Sequence, residues 1–348
     1  MLADALLEVI RPVIGVDGLS YAEAPFKFPG GFFTQNHGFR LANTSSPWDR
    51  PLVLRLFPSV MTPEAVRCEV EAQRAVSSQH YPTPEVLLFD EHARLVERQF
   101  MVMERLTGRP LMGDIGLGAL IRRGPRLLSA LARTTAEVQT ALHALDPEPL
   151  LATLGTAAIT DERWFDFVGR QIDIGAAGLT DGLQWVLDNR PAGDGRRVIC
   201  HGDLHAGNIL VVGRQVTGVL DWTVATVAEA ALDVGFTTMS LDLAPIDAPP
   251  AIQRVVARFA QSIARQYVRH YQRIAPVNLG SQAYFEALRC LVELSNVAAY
   301  RLSESSASSP DRPQPTWDRI ADSMVQYFER RTGVRLRLPE SGSAPSLG

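Results

Sequence analysis

The stretch that decides the reading of this chain is HGDLHAGNIL, residues 201–210. It follows RVIC (197–200) and runs through VVGRQVT into GVLDW (218–222). His201, Asp203, His205 and Asn208 fall within eight residues, and one more carboxylate, Asp221, stands thirteen residues after Asn208. Apolar runs flank all five. Polar groups at this density are poor material for a core, because burying each without a partner costs free energy. They suit a site that something else satisfies.

The residue types narrow what that is. Asn208 and Asp221 are oxygen ligands of the kind Mg²⁺ accepts, as a few protein oxygens alongside phosphates and water. Asp203 sits five residues before Asn208 and remains available to accept a proton from a hydroxyl. Metal across the phosphates and a carboxylate on the acceptor are what phosphoryl transfer needs.

HGDLHAGN followed by the Asp of GVLDW resembles the catalytic and metal-binding loops of the aminoglycoside phosphotransferase and choline kinase family, which shares the protein-kinase-like fold. The resemblance spans roughly residues 25–300 and is strongest over 197–240. It implies an α+β bilobal chain with a small β-rich N-lobe and a larger, mainly helical C-lobe. It also implies ATP (or GTP) and Mg²⁺ as cofactors. Asp203 then corresponds to the catalytic base, and Asn208 and Asp221 to the Mg²⁺ ligands. His205 stands where protein kinases often carry a lysine, facing the transferred phosphate. His201 corresponds to a residue that orients the loop, and Asp233 in AALDVGF to a helix aspartate that braces it.

The same resemblance assigns the donor side of the N-lobe. Arg55 in LVLRLF corresponds to the basic residue on the nucleotide phosphates, and Glu69 in RCEVEAQRAV to its partner on a helix. The family's commonest residue at the first position is Lys. Arg keeps the charge and can fork onto phosphate. Gly30 and Gly31 in PGGFF take the place of the nucleotide-covering hairpin loop, where backbone approaches phosphate or simply turns. Glu104 and Leu106 correspond to the hinge whose backbone would bond the nucleotide base. Lys27, the only lysine of the chain, reads as a solvated strand residue or a phosphate contact.

Outward from the motif, periodicity supplies the elements. PLVLRLF (51–57), EVLLFD (85–90) and FMVMERL (100–106) read as strands. Between the first two, Thr62 is an N-cap candidate and Pro63 a first-turn residue of a helix striped by Ala65, Cys68, Ala72, Ala75 and Val76. Helical patterns follow over 124–145, 159–172, 228–241, 250–273, 281–302 and 315–331, interrupted by the strand-like RVICHGD, NILVV and VTGVLDW. Residues 303–315 read as a loop and the Ser/Gly/Pro-rich 340–348 as a disordered tail. The expected organisation is an N-lobe over 1–105, a C-lobe over 106–335 and a tail over 336–348.

Composition fits this and excludes other classes. The 348 residues carry a net charge of −4, with no basic excess of the kind a nucleic-acid binder shows. No apolar run reaches the length of a membrane span. The N-terminal MLADALLEVIRPVIG reads as a short amphipathic helix, without the basic segment and cleavage site of a secretory signal. Three widely spaced cysteines form no disulfide or zinc pattern and point to a reducing cytoplasm.

The expected partner is a small molecule bearing a hydroxyl. A polycationic aminoglycoside calls for a carboxylate-rich pocket, yet residues 223–348 hold 12 Asp and Glu against 13 Arg. Trp164, Phe165, Trp185, Trp222, Phe285 and Tyr300 read as core or as an apolar pocket lining. Macrolides, choline, homoserine, sugars and hydroxyacyl groups all fit. A catalytically inactive nucleotide-binding regulatory module is the alternative. A protein kinase is disfavoured, because no DFG or APE segment follows Asp221.

Overall fold

The computed structural model describes residues 2–28, 34–59, 61–113, 117–158, 162–193, 195–243, 250–304 and 316–340. The first half of the chain forms α1 (Leu2–Ile14), β1 (Ser20–Lys27), β2 (Gln35–Ala42), β3 (Leu52–Leu56), α2 (Pro63–Ser77), β4 (Val86–Leu95), β5 (Arg98–Glu104), β6 (Arg109–Pro110) and α3 (Leu117–His143). The second half forms α4 (Glu148–Leu154), α5 (Glu162–Asp173), α6 (Thr180–Asp188), β7 (Val198–Cys200), β8 (Ile209–Val212), β9 (Gln215–Val219), β10 (Thr226–Ala228), α7 (Ala230–Asp242), α8 (Pro250–Ile274), α9 (Gln282–Glu304) and α10 (Ala321–Thr332). They pack into two compact units. One comprises Met1–Gly113, Glu148–Ala158 and Gly207–Ala225, the other Asp114–Pro147, Ile159–Ala206 and Thr226–Gly348.

The first unit is built on an antiparallel sheet in the order β1-β2-β3-β5-β4. β3 lies near its middle and is buried on both faces. Side chains alternate along a strand, so Leu52, Leu54 and Leu56 share a core with Leu6 and Ile10 of α1. Val53 and Phe57 share another with Val66 and Val70 of α2. Arg55 stands between Val53 and Phe57 and therefore belongs to the α2 face. α2 starts as its sequence predicts: Thr62 accepts from the Ala65 N–H at 3.2 Å, with Pro63 in the first turn. Its buried face includes Val66, Glu69, Val70 and Gln73 at helical spacing, so two polar side chains ride on an apolar stripe.

A smaller sheet, β6-β8-β9, completes this unit. The loop Gly213–Arg214 joins β8 to β9, with Gly213 at φ +63°, a conformation that tight hairpins need and glycine adopts freely. Beyond the last ladder pair, the Leu220 N–H donates to the Asn208 carbonyl at 2.9 Å. The hairpin thus turns a separation of thirteen residues into adjacency of Asn208 and Asp221.

The second unit is helical. α7 and α9 pack together, α3 lies on α8, and α10 lies on α9. The main core gathers Val168, Leu179, Phe236, Leu288, Leu291, Leu294 and Phe328. Trp164, Phe165 and Phe285 belong to this core and Trp185 packs against it. Trp222 is fully buried in the first unit, its indole N–H donating to Thr83 Oγ1 at 2.8 Å. Cys68, Cys200 and Cys290 are buried thiols outside any disulfide. The helix expected from Gly124 begins earlier, at Leu117, so Gly124-Pro125 lie inside it. Proline removes one ladder bond there, and the backbone continues through it. The pattern over 315–331 divides into a 3-10 turn (Thr316–Ile320) and α10, which stops at the left-handed Gly333. Residues 305–315 and 341–348, read as loop and tail, lie outside the described residues. Among the described residues no helix is long and apolar enough to cross a membrane.

Candidate active site

In the first unit, Arg55, Glu69, Asn208 and Asp221 line one cavity of about 200 Å³, together with apolar Met101 and Met103. Arg55 Nη2 lies 2.8 Å from Glu69 Oε1 and 3.1 Å from Asp221 Oδ1. The guanidinium is buried. Its burial opposes the charge, but Glu69 and Asp221 outweigh that and hold the arginine more firmly protonated. Burial pushes the Glu69 carboxyl up to about 7, against the pull of Arg55.

Thr223, which the sequence reading did not place in the site, ties these groups together. Its hydroxyl lies 2.6 Å from Asp221 Oδ1 and 3.0 Å from Glu69 Oε2, and it accepts from Arg55 Nη2 at 3.1 Å. Asp221 itself sits at φ +68°, a left-handed conformation that costs an L-residue about 1–3 kcal/mol. Strain of this kind is tolerated where it aims a side chain.

The cavity suits a nucleotide's phosphates and Mg²⁺ on chemical grounds. Asn208 and Asp221 bring hard oxygen donors together, and Arg55 brings a fixed cation whose Nε is a buried donor without a partner. At Glu104, the residue the resemblance assigns to the hinge, the backbone N–H is spent on the Glu85 carbonyl at 2.9 Å. The Leu106 side chain packs over Gly218, where a Cβ would approach it to 2.5 Å. Lys27 ends β1 and is exposed. Gly30 and Gly31 lie outside the described residues.

The second unit holds the loop around Asp203. Asp233, buried at the start of α7, accepts from the backbone N–H groups of His201 at 3.0 Å and Gly202 at 2.7 Å. His143 Nε2 contacts the same carboxylate at 3.0 Å, and its Nδ1 meets the Tyr271 hydroxyl at 2.7 Å. Burial alone would raise the Asp233 carboxyl, but the bond and charge of His143 and the charge of His201 hold it at about 2. His201 is buried too, and its Nδ1 accepts from the Asp203 N–H at 3.2 Å. Both residues act on the loop's shape, as the sequence implied.

A group whose pKa is depressed on folding stabilises above its unfolded value, and that stability is lost as pH falls through the folded value. For Asp233 the window runs from 3.8 down to about 2, and the shift corresponds to about 2 kcal/mol. Asp233→Asn should lose at least that much at neutral pH, since an amide cannot accept from two backbone donors with both atoms. It should also flatten the fall in stability across this window. Urea midpoints of both proteins between pH 4 and 2 check this.

Asp203 is partly exposed. Its Oδ1 takes a hydrogen bond from Arg289 Nη2 at 2.8 Å, and its Oδ2 lies 3.8 Å from His205 Nε2. Arg289 is the second residue the sequence reading missed. A signal existed: Arg289 and Glu293, four apart, interrupt the apolar LRCLVEL, where a charged pair has no solvated face to occupy.

A larger cavity in this unit, about 460 Å³, is lined by Thr238, Asp242, Arg265, Arg269, Glu286 and Arg331 among others. Burial, then the Glu286 charge, pushes the Asp242 carboxyl to about 6. Arg331 lies 2.6 Å from Glu286 and 3.8 Å from Asp242. Its carboxylates are thus matched by arginines, and it offers no acidic surplus to a polycation.

The family model described as APH, phosphotransferase enzyme family, matches residues 39–277, more than half of the chain. Curated relatives include acyl-CoA dehydrogenase family member 11 of Gallus gallus, 28% identical over 177 residues, and of Homo sapiens, 27% over 186. Those matches cover 49% and 51% of this chain but only 22% and 23% of the relatives, so the chain spans less than a quarter of their length. Among solved structures, a Ralstonia eutropha protein described as a candidate aminoglycoside phosphotransferase aligns over 96% of this chain and 99% of its own, at TM-score 0.63 and 18% identity. A thermostable mutant of aminoglycoside phosphotransferase APH(4)-Ia, in a ternary complex with ADP and hygromycin B, gives 0.57 at 17% identity over 94% and 98%. Macrolide 2'-phosphotransferase type I gives 0.55 at 16% identity over 97% of each chain. At these identities the structures establish the fold, α+β with an antiparallel N-terminal sheet and a helical C-terminal region.

Proposed function

Because the chain belongs to the phosphotransferase enzyme family APH, we propose that it moves the γ-phosphate of Mg·ATP to a hydroxyl of a small molecule. The observation that carries this is the cavity in which Arg55, Asn208 and Asp221 meet. A buried guanidinium clamped by the carboxylates of Glu69 and Asp221, with Asn208 as a further hard oxygen donor, is an arrangement with little structural value and clear use for polyphosphate. The fold is shared with phosphotransferases solved with ADP and with AMP-PNP beside hygromycin B.

Arg55 binds phosphate oxygens in this reading and Glu69 orients it. Asn208 and Asp221 hold Mg²⁺, which when bound neutralises charge on the phosphates. The base bonds at the Glu104 carbonyl and the Leu106 N–H, and Gly30 and Gly31 are assigned to the phosphates by the family resemblance alone. Asp203 receives the acceptor hydroxyl's proton as its oxygen bonds to phosphorus, and ADP departs. His205 stands beside the transferred group. GTP would meet the same phosphate contacts.

The acceptor class is the open choice. Hygromycin B and a macrolide stand in the names of structural relatives and acyl-CoA in that of the curated relatives, and the hydroxyacyl groups named from the sequence stay among the acceptors. A cytoplasmic location belongs to the reading as well, resting on three buried cysteines that form no disulfide. One feature favours the alternative of an inactive nucleotide-binding module: Arg55 in place of the family's usual Lys.

The metal assignment is tested by calorimetry of ATP binding with Mg²⁺ and with EDTA. Asp221→Asn should lose the Mg²⁺-dependent part of the affinity, about 10-fold or about 1.4 kcal/mol. Unchanged Mg²⁺-dependent affinity would reject Asp221 as a ligand.

A further inference from the structure

Resting on the assignment of Asp203 as base, we propose that Arg289, balanced by Glu293, is the positioning residue for that base and makes Oδ2 the atom that receives the proton. Nη2 of Arg289 lies 2.8 Å from Asp203 Oδ1 and 2.7 Å from Glu293 Oε1. Nη1 donates to the Gly202 carbonyl at 3.1 Å, the peptide just before the base. The guanidinium lies over the Phe236 ring at 5.4 Å. Two points of attachment, one on the side chain and one on the backbone of the same loop, fix both where Asp203 sits and how its carboxylate is turned.

This arrangement is costly for a purely structural one. Arg289 and Glu293 are 5% and 6% exposed, on a helix otherwise packed with Leu288, Cys290, Leu291 and Leu294. Taking such charges out of water is unfavourable, and apolar residues in their place are often as stable or more so. Nε of Arg289 is buried with no partner, so the side chain is not placed to satisfy its own donors. What the pair delivers is a fixed Asp203. Glu293 cancels the charge of Arg289, which leaves the local charge at the base equal to that of Asp203 alone.

With Oδ1 held by Arg289, Oδ2, 3.8 Å from His205 Nε2, is the oxygen assigned to the acceptor's proton. The acceptor O–H bond breaks, its proton goes to Oδ2, and its electron pair forms the bond to phosphorus while the bond to the ADP oxygen breaks. Arg289 touches neither nucleotide nor acceptor in this account. It acts through Asp203, and its removal should lower kcat and spare the KM for ATP.

The test is ADP release from Mg·ATP by the full-length chain, with water serving as the acceptor hydroxyl. Arg289→Met alone leaves Glu293 buried and uncompensated and can fail to fold. The double replacement Arg289→Met with Glu293→Leu removes both charges at similar volume. It should keep the wild-type melting temperature or exceed it, lower kcat by about 10-fold or more, and leave the KM for ATP within about threefold. Arg289→Lys should recover part of the rate. Added to Asp203→Asn, the double replacement should lower the rate no further, because both act on one group.

Wild-type kcat in the folded double variant, with Asp203→Asn inert, would overturn the role of Arg289 and leave the base standing. A further loss on top of Asp203→Asn would overturn it equally. Full activity of Asp203→Asn itself would remove the base, and this proposal with it.

Discussion

Asp203→Asn is expected to lower phosphoryl transfer by at least about 10²-fold while nucleotide affinity stays within about threefold. Among the groups at and around the HGDLHAGN loop, Asp233 is committed to two backbone donors and His143, and His201 is buried against the Asp203 backbone, whereas Asp203 and its neighbour His205 are partly exposed. Asn preserves size and still accepts from Arg289, so the loop should keep its shape. The donor cavity is lined by Arg55, Glu69, Asn208 and Asp221 and does not include Asp203. Steady-state kinetics beside calorimetry of Mg·ATP separates the two effects. A parallel loss of affinity would mean that Asp203 serves the nucleotide instead.

The second large effect belongs to the first unit. Glu69→Ala removes the nearer of two carboxylates from the buried Arg55 guanidinium, 2.8 Å away, and leaves Asp221 and Thr223 at 3.1 Å as its partners. Breaking a buried ion pair by removing one partner costs about 3–5 kcal/mol, a large share of a typical domain's stability. Arg55→Met combined with Glu69→Leu should restore most of that, as two apolar side chains join Val53, Val66 and Val70 in the surrounding core. ATP affinity should not return with it. Urea unfolding and ATP titration of the single and double variants check the prediction. A stable double variant that binds ATP as tightly as the parent would show that the pair serves only the fold.

How far the sequence carried this reading differs by region. HGDLHAGN and the Asp of GVLDW announce themselves, because closely spaced polar groups between apolar strands conflict with every simple periodic pattern. Thr62-Pro63 announced the start of α2, because capping chemistry is local. The alternation of β3 was readable, and so was the oddity of Arg55 within it.

What was not readable is long-range. Arg289 reaches Asp203 across 86 positions, and Thr223 reaches Glu69 across 154. Neither pairing leaves a mark on local propensity. Glu69 and Gln73 obscured the buried face of α2, since a stripe counted on apolar residues alone passes over the polar ones riding on it. The hairpin β8–β9 explains afterwards why Asn208 and Asp221 stand thirteen apart. The sequence did not give the register of that hairpin. The acceptor was least readable of all, because its recognition rests on helix packing over 223–348, where acidic and basic residues nearly balance.

The account's central claim is phosphoryl transfer from Mg·ATP to a small-molecule hydroxyl. The most direct measurement is Mg²⁺-dependent ADP release over a panel of aminoglycosides, macrolides, choline, homoserine, sugars and hydroxyacyl compounds, with Asp203→Asn as the blank and the phosphorylated product followed by ³¹P NMR. The account predicts turnover with one chemical class, one phosphoryl group appearing on that compound per ADP, and loss of both signals in the blank or without Mg²⁺. Tight Mg·ATP binding with no turnover above the blank for any compound or for water would contradict it and leave a nucleotide-binding module in its place.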